Sequence, residues 1–212
     1  EIAIRIARTC SDLGLKTVGI YSEDDANSLH LSKVDEAFKI EGKGAQAYLN
    51  IKEIIAVAKK SKVDAIHPGY GFLSENSSFA SAAKRAKIKF VGPSERTLEI
   101  FGDKTSAKEL AMSLGIPVIA GTKQKTTLKQ AQDFLKSLKK NSSLVIKAIS
   151  GGGGRGMRVV SKPDDLKESF DRASSEAKAS FDSPDLYLEE YLKDYRHIEF
   201  QILGDGTGAV CH

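Results

Sequence analysis

Apolar positions along the chain follow two alternating rhythms. Ile51, Ile54, Ile55 and Ala58 fall at i, i+3, i+4 and i+7, so 50–60 is predicted as a helix with one apolar face. The same spacing returns at Phe79, Ala82, Ala83 and Ala86, and earlier at Ile2, Ile6 and Leu13, where Gly14 offers a left-handed stop. Between these helices lie short apolar runs with strand character: 16–21 (KTVGIY), 64–67 and 89–91, the last leading into Gly92-Pro93. Strands alternating with helices indicate an α/β fold with parallel pairing. Residues 1–100 are therefore expected to form a Rossmann-like amino-terminal domain.

Past residue 100 the texture changes. Ala107, Leu110, Ala111 and Leu114 predict a helix ended by Gly115 and Pro117, and Leu128, Ala131, Leu135 and Leu138 predict another. A strand at 144–149 (LVIKAI), a glycine run and a second strand over Met157–Val160 follow. Leu166, Phe170, Ala173 and Ala177 mark a further helix, with Pro163, Asp164 and Asp165 suited to its first turn. Strands are then expected over Leu186–Tyr191 and 197–203, with a turn at Gly204-Asp205-Gly206. Two antiparallel pairs flanked by helices suggest a small α+β lid over roughly 116–190, inside a second domain at 101–212.

Composition adds mostly exclusions. The 32 Lys and Arg against 28 Asp and Glu leave a net charge of +4, too small an excess to name a partner. The clustered basic, aromatic-interleaved stripe of a nucleic-acid binder is not in evidence, nor is an apolar run long enough to span a membrane. Cys10 and Cys211 lie near opposite ends at no metal-ligand spacing, so free thiols in a reducing compartment are expected. Glu1 opens directly into a helical pattern without a starting Met, and Cys211-His212 stops inside an apolar run. The chain is therefore expected to be a piece of something longer.

The strongest chemical feature is the run SGGGGRGMR at 150–158. Glycines between two strands let successive backbone N–H groups converge on an anion. Gly151, Gly153 and Gly156 formally satisfy G-x-G-x-x-G, but a dinucleotide fingerprint must open a helix, and this run opens a strand. Nor does it end in G-K-[ST], so it is no Walker A loop. A flap over nucleoside triphosphate phosphates fits better, the plainer alternative being a flexible hairpin. Lys147 is the only charge in the strand ahead of this loop, where it can reach a phosphate as a point charge. Taken alone it would read as an edge-strand lysine with its ammonium in solvent. Lys104, at a helix start, would by itself read as a solvated surface lysine.

At these residues the sequence resembles the biotin carboxylase family, a branch of the ATP-grasp enzymes, over essentially its whole length. The resemblance is carried by EIAIRIARTC at the start, by Tyr48-Leu49-Asn50-Ile51, and by HPGYGFLSEN at 67–76. Gly102-Asp103-Lys104, GGGGRGMR at 151–158 and YLEEYLKDYRHIEFQ at 187–201 complete it. HPGYGFLSEN followed about eighty residues later by GGGGRGMR is a highly specific combination.

The resemblance implies that the second domain is the start of an ATP-grasp fold. It implies that Lys104 and Lys147 hold ATP phosphates and that Gly153 and Gly154 lie in the flap over them. Glu189, Glu190, Tyr191 and Leu192 would line the adenine and ribose pocket, and His197 would face the nucleotide sugar. Residues 67–76 would border the active site, with Tyr70 a neighbour of biotin. The implied reaction spends ATP, with Mg2+ or Mn2+ on its phosphates, to activate bicarbonate as carboxyphosphate. It then carboxylates biotin on a carrier domain, and a carboxyltransferase domain or subunit passes the group to an acyl-CoA, pyruvate or urea. The family's metal-binding glutamates, bicarbonate base and biotin-contacting arginine are expected beyond His212, so the piece alone is expected to be inactive. The intact enzyme is expected to be a homo-oligomer in the cytoplasm or the mitochondrial matrix. Strand alternation in 197–203 would put His197, Glu199 and Gln201 on one polar face, as a nucleotide cleft or an ordinary solvent face both require. Rival readings are another ATP-grasp ligase, which shares flap and lysines but should lack HPGYGFLSEN, a non-catalytic nucleotide-binding module, and, last, a Rossmann oxidoreductase.

Overall fold

The computed structural model describes residues 1–122, 125–139, 142–149 and 157–212. The chain divides into two compact units, Glu1–Leu110 and Ala111–His212. Both mix helices with strands, as the α/β expectation requires.

The first unit opens with α1 (Ile2–Asp12), after which Gly14 takes the left-handed conformation expected of it, φ +67°. Strand β1 (Val18–Tyr21) pairs in parallel with β2 (Glu36–Lys39), Val18 opposite Glu36. No apolar period announces β2. It is held by a clasp at its entrance, where Asp35 Oδ2 accepts from the Thr17 backbone N–H at 2.7 Å and the Thr17 hydroxyl at 2.8 Å. Next come the short α2 (Gly44–Ala47) and α3 (Ile51–Lys60), the latter capped by Asn50, whose side chain accepts from the Glu53 N–H. Strand β3 (Ala65–Ile66) pairs in parallel with β4 (Lys89–Phe90) around α4 (Ser77–Arg85), which Asn76 caps. Ile54, Leu73 and Phe79 form the buried centre, packed by Ile20, Ile51, Ile55, Ile66 and Phe90. Phe79 meets Phe90 edge-on at 5.7 Å. Helix α5 (Glu95–Gly102), capped by Ser94, was not anticipated by the apolar spacing. Helix α6 (Lys104–Ser113) follows, with Asp103 Oδ1 accepting from the Ser106 N–H at 2.6 Å.

The second unit is built on one antiparallel sheet. Helix α7 (Leu128–Ser137) carries a full capping box between Thr127 and Gln130. Strand β5 (Ser143–Ala148) is central, with β6 (Met157–Val160) on one side and, after α8 (Leu166–Phe181), β7 (Leu186–Tyr191) on the other. Leu144, Ile146, Leu186, Leu188 and Val160 point to the helices and are buried against Ala131, Leu166, Ala173 and Ala177. Each large side chain so buried contributes about 1.5–3 kcal/mol.

The strand expected over 197–203 does not form. Only Leu203–Gly204 (β8) pairs, with Val210–Cys211 (β9), around a turn in which Asp205 Oδ1 accepts from the Thr207 N–H at 2.8 Å. Alternation gives a segment two faces, but a strand also needs a neighbouring ladder, and among the described residues no ladder runs along 197–202. Ile198, Phe200 and Ile202 are exposed, and so are His197, Glu199 and Gln201.

Candidate functional site

The pleat of β5, β6 and β7 sorts the candidate residues. Cross-strand partners share a face, so Lys147 lies in one row with Met157 and Tyr187, and Val145 in the next with Val159 and Glu189. This face is the one opposite the helices. Met157 and Val159 are each about half exposed on it, and the Lys147–Glu189 ion pair crosses it.

Lys147 Nζ donates to Glu189 Oε2 at 2.6 Å and stands 6.0 Å from the centre of the Tyr187 ring. The side chains of Lys147 and Glu189 are only 26% and 16% exposed. Lys147 is therefore not an edge-strand lysine trailing into water. It rises from the middle strand and is steered by a carboxylate on one neighbour and an aromatic face on the same strand. The Tyr187 phenol is pushed up to about 12, first by burial and then by the Glu189 charge. It stays protonated at any physiological pH.

The neighbouring candidates separate. Glu190 points to the opposite face of β7, where its Oε1 accepts from the Ser142 hydroxyl at 3.0 Å. Its backbone N–H donates to Ala120 O at 2.8 Å, and the Thr122 N–H donates to Leu188 O at 2.9 Å, so the segment around 120–122 lines the outer edge of β7. Tyr191, at the end of the strand, and Leu192 are exposed. His197 is exposed, with Nε2 3.5 Å from Glu199 Oε1. Gly153 and Gly154 lie outside the described residues, whereas Lys147 stands on the strand that leads into their run. Sequence reading singled out Lys147 and Glu189 separately; the cross-strand register shows that they are one unit, with Tyr187, Val145, Met157 and Val159 around it.

In the first unit, Lys104 is the first residue of α6. Tyr70 is 81% exposed on the turn that follows β3. His67 Nδ1 accepts from the Gly69 N–H at 3.1 Å. A second cluster, not anticipated, gathers past β1: the buried Ser22 donates its hydroxyl to Asp24 at 2.7 Å, and Tyr48 donates to Asp25. Among the described residues no three His, Cys, Asp or Glu side chains are grouped so as to hold a metal ion.

Two family models divide the chain. Residues 1–98 match the biotin carboxylase N-terminal domain, and 103–212 match the carbamoyl-phosphate synthase L chain ATP-binding domain. Human mitochondrial pyruvate carboxylase is 47% identical over 100% of this chain, and so is the pyruvate carboxylase of Bacillus subtilis. The chain belongs to the biotin carboxylase family. It spans only 18% of the human relative and 19% of the Bacillus one. Among solved structures, a biotin carboxylase from Campylobacter jejuni in a β,γ-ATP complex superimposes with a TM-score of 0.90 at 40% identity. That match covers 100% of this chain and 47% of the other. The biotin carboxylase domain dimer of Hydrogenobacter thermophilus 2-oxoglutarate carboxylase, in complex with MgADP, ADP and bicarbonate, gives 0.88 at 38% identity, covering 99% and 46%. The second model is described by carbamoyl-phosphate synthase, so the amino-terminal match and the relatives that align along the whole of this chain decide between these rivals. Among the described residues no helix is long and apolar enough to cross a membrane.

Proposed function

We propose that this chain supplies the nucleotide-binding, amino-terminal part of an ATP-dependent biotin carboxylase. The carrying observation is the half-buried Lys147–Glu189 pair, set in an apolar sheet face on the strand that leads into the glycine run. Such a face accepts a planar base by stacking on Val159 and Met157, which are exposed there, while an ammonium held in place meets phosphate charge without first being ordered. Glu189 orients that ammonium, and the Tyr187 ring supports it from below.

In this reading residues 1–100 form a Rossmann-like domain, 101–212 the start of an ATP-grasp fold, and 116–190 its lid. Lys104 and Lys147 hold phosphates under a flap containing Gly153 and Gly154. Glu189, Glu190, Tyr191 and Leu192 border base and ribose; Glu190 does so through its backbone, since its side chain points to the helix face. His197 faces the sugar, and Tyr70 stands beside biotin. ATP would activate bicarbonate, with Mg2+ or Mn2+ carried on the phosphates, and the carboxyl group would pass to biotin on a carrier domain. A carboxyltransferase would finish the reaction, with pyruvate the acceptor favoured by the relatives at 47% identity. Self-association of the intact enzyme is the reading that the dimeric Hydrogenobacter domain supports. A human mitochondrial relative and a bacterial one leave matrix and cytoplasm both open as compartments.

The test is ATP hydrolysis by the complete enzyme that carries this chain. Hydrolysis should depend on bicarbonate and rise on addition of free biotin. Bicarbonate-dependent hydrolysis that biotin leaves unchanged would favour a carbamoyl-phosphate-synthase-like ligase, the reading that the second family model's description supports.

A further inference from the structure

The turn that carries Tyr70 has a feature that neither the ATP site nor the family resemblance uses. Strand β3 ends at Ile66, and Pro68 contributes no N–H, so the first donor after His67 is the Gly69 N–H. His67 Nδ1 takes it at 3.1 Å. This is the geometry of an Asx turn, in which a side-chain acceptor on residue i captures the N–H of residue i+2. Here an imidazole nitrogen stands where an Asn or Asp oxygen usually does.

The bond sits where the backbone most needs one. Gly69, Gly71 and Phe72 have φ of +74°, +72° and +47°, three left-handed positions within four residues. Two are glycines, but Phe72 is a bulky aromatic for which that conformation is disfavoured. The far end of the turn is anchored: the Ser74 N–H donates to Gly71 O at 2.9 Å, Leu73 is buried, and the Phe72 ring lies 6.1 Å from that of Tyr48. At the near end, among the described residues, the hydrogen bond to His67 is the one that ties residues 68–70. Tyr70 stands between the two anchors, almost fully exposed.

We propose that His67 is a positioning residue, whose bare Nδ1 closes the His67-Pro68-Gly69 turn and so sets where Tyr70 stands against biotin. The proposal rests on the reading of Tyr70 as a neighbour of biotin and adds what holds it there. An Nδ1 that accepts requires the neutral imidazole with its proton on Nε2. His67 is an exposed residue, but partial desolvation of its ring lowers its pKa from the ordinary value and so favours that neutral form.

Two measurements test it. In the 15N-labelled full chain near neutral pH, the imidazole signals of His67 should report a protonated Nε2 and a bare Nδ1. A proton on Nδ1 would overturn the proposal outright. In the complete enzyme, His67→Leu should raise the KM for free biotin about 10- to 100-fold with little change in the KM for ATP. His67→Asn, which puts Oδ1 where Nδ1 was, should recover most of that loss, and His67→Gln, whose oxygen lies one carbon farther out, should not. Thermal unfolding of each variant separates misfolding from misplacement. Asn behaving no better than Leu in a folded enzyme would sink the proposal, as would a harmless Leu. Tyr70→Ala isolates the underlying reading. If it leaves the biotin KM unchanged, the assignment of Tyr70 fails; if it raises that KM and His67→Leu does not, His67 alone was misread.

Discussion

Replacing Lys147 by Met removes the ammonium but keeps an unbranched stem of similar length on the central strand. The change should split into a small folding effect and a larger nucleotide effect. Lys147 and Glu189 are 26% and 16% exposed, so their pair lies between a surface bridge, worth about 0–1 kcal/mol, and a buried one, where loss of one partner costs about 3–5 kcal/mol. With water still within reach of both groups, a stability loss of about 1–2 kcal/mol is expected. A charge-assisted bond to phosphate is worth about 1.5–3 kcal/mol, which converts to a rise of roughly 10- to 150-fold in the ATP KM. The assay is ATP kinetics of the complete enzyme beside its denaturant unfolding. The double variant Lys147→Met/Glu189→Gln provides the control. Removing the carboxylate charge should restore most of the stability and none of the nucleotide affinity. Stability lost with an unchanged ATP KM would show that Lys147 serves only the sheet. Recovery of ATP affinity in the double variant would show that the phosphate role belongs to another cation.

Three further outcomes follow from the same structure. Glu189→Gln should bring the Tyr187 phenol down from about 12 while leaving it above the ordinary tyrosine value, because burial outranks the Glu189 charge; ultraviolet titration of tyrosinate reads this, and an unmoved value refutes the geometry. Leu188→Ala, at a fully buried position of β7, should cost about 2–5 kcal/mol in denaturant unfolding; a loss below 1 kcal/mol would contradict the packing against α7 and α8. The Asp24 carboxyl is held below its ordinary range chiefly by the Ser22 hydroxyl, and that of Asp25 chiefly by the Tyr48 phenol. Depressed carboxyl pKa values contribute stability that is complete above about pH 4 and lost as pH falls through the lower folded values. The stability gap between the parent and Asp25→Asn should therefore be wide at pH 6 and narrower at pH 3, and an unchanged gap would count against the cluster.

Much of this was legible along the chain. The helices at Ile51–Lys60 and Leu128–Ser137 and the strands Met157–Val160 and Leu186–Tyr191 follow from the apolar pattern alone. Strand β2 and helix α5 were not legible. The first has one partly covered apolar residue, Phe38, and depends on Asp35 reaching Thr17 eighteen positions away. The second spans only eight residues and buries Leu98 alone, too short a stretch to repeat an apolar period, and Ser94 caps it. The strand expected at 197–203 failed in the opposite sense, since its alternation is clear and its ladder is absent.

Residue type and order were enough to single out Lys147 as a candidate phosphate-binding lysine, to set a glycine run apart from a dinucleotide fingerprint, and to point to the biotin carboxylase family. Those inferences are local, because they need only composition, spacing and the period of strand or helix. Tertiary structure alone decided that Lys147 and Glu189 form one pair, that Glu190 turns away from it, and that His67 ties down the turn bearing Tyr70. A pleat places alternate side chains on opposite faces, but only the register between strands decides which of them meet. Lys147 and Glu189 are forty-two positions apart, and nothing in their local sequence records the 2.6 Å between them.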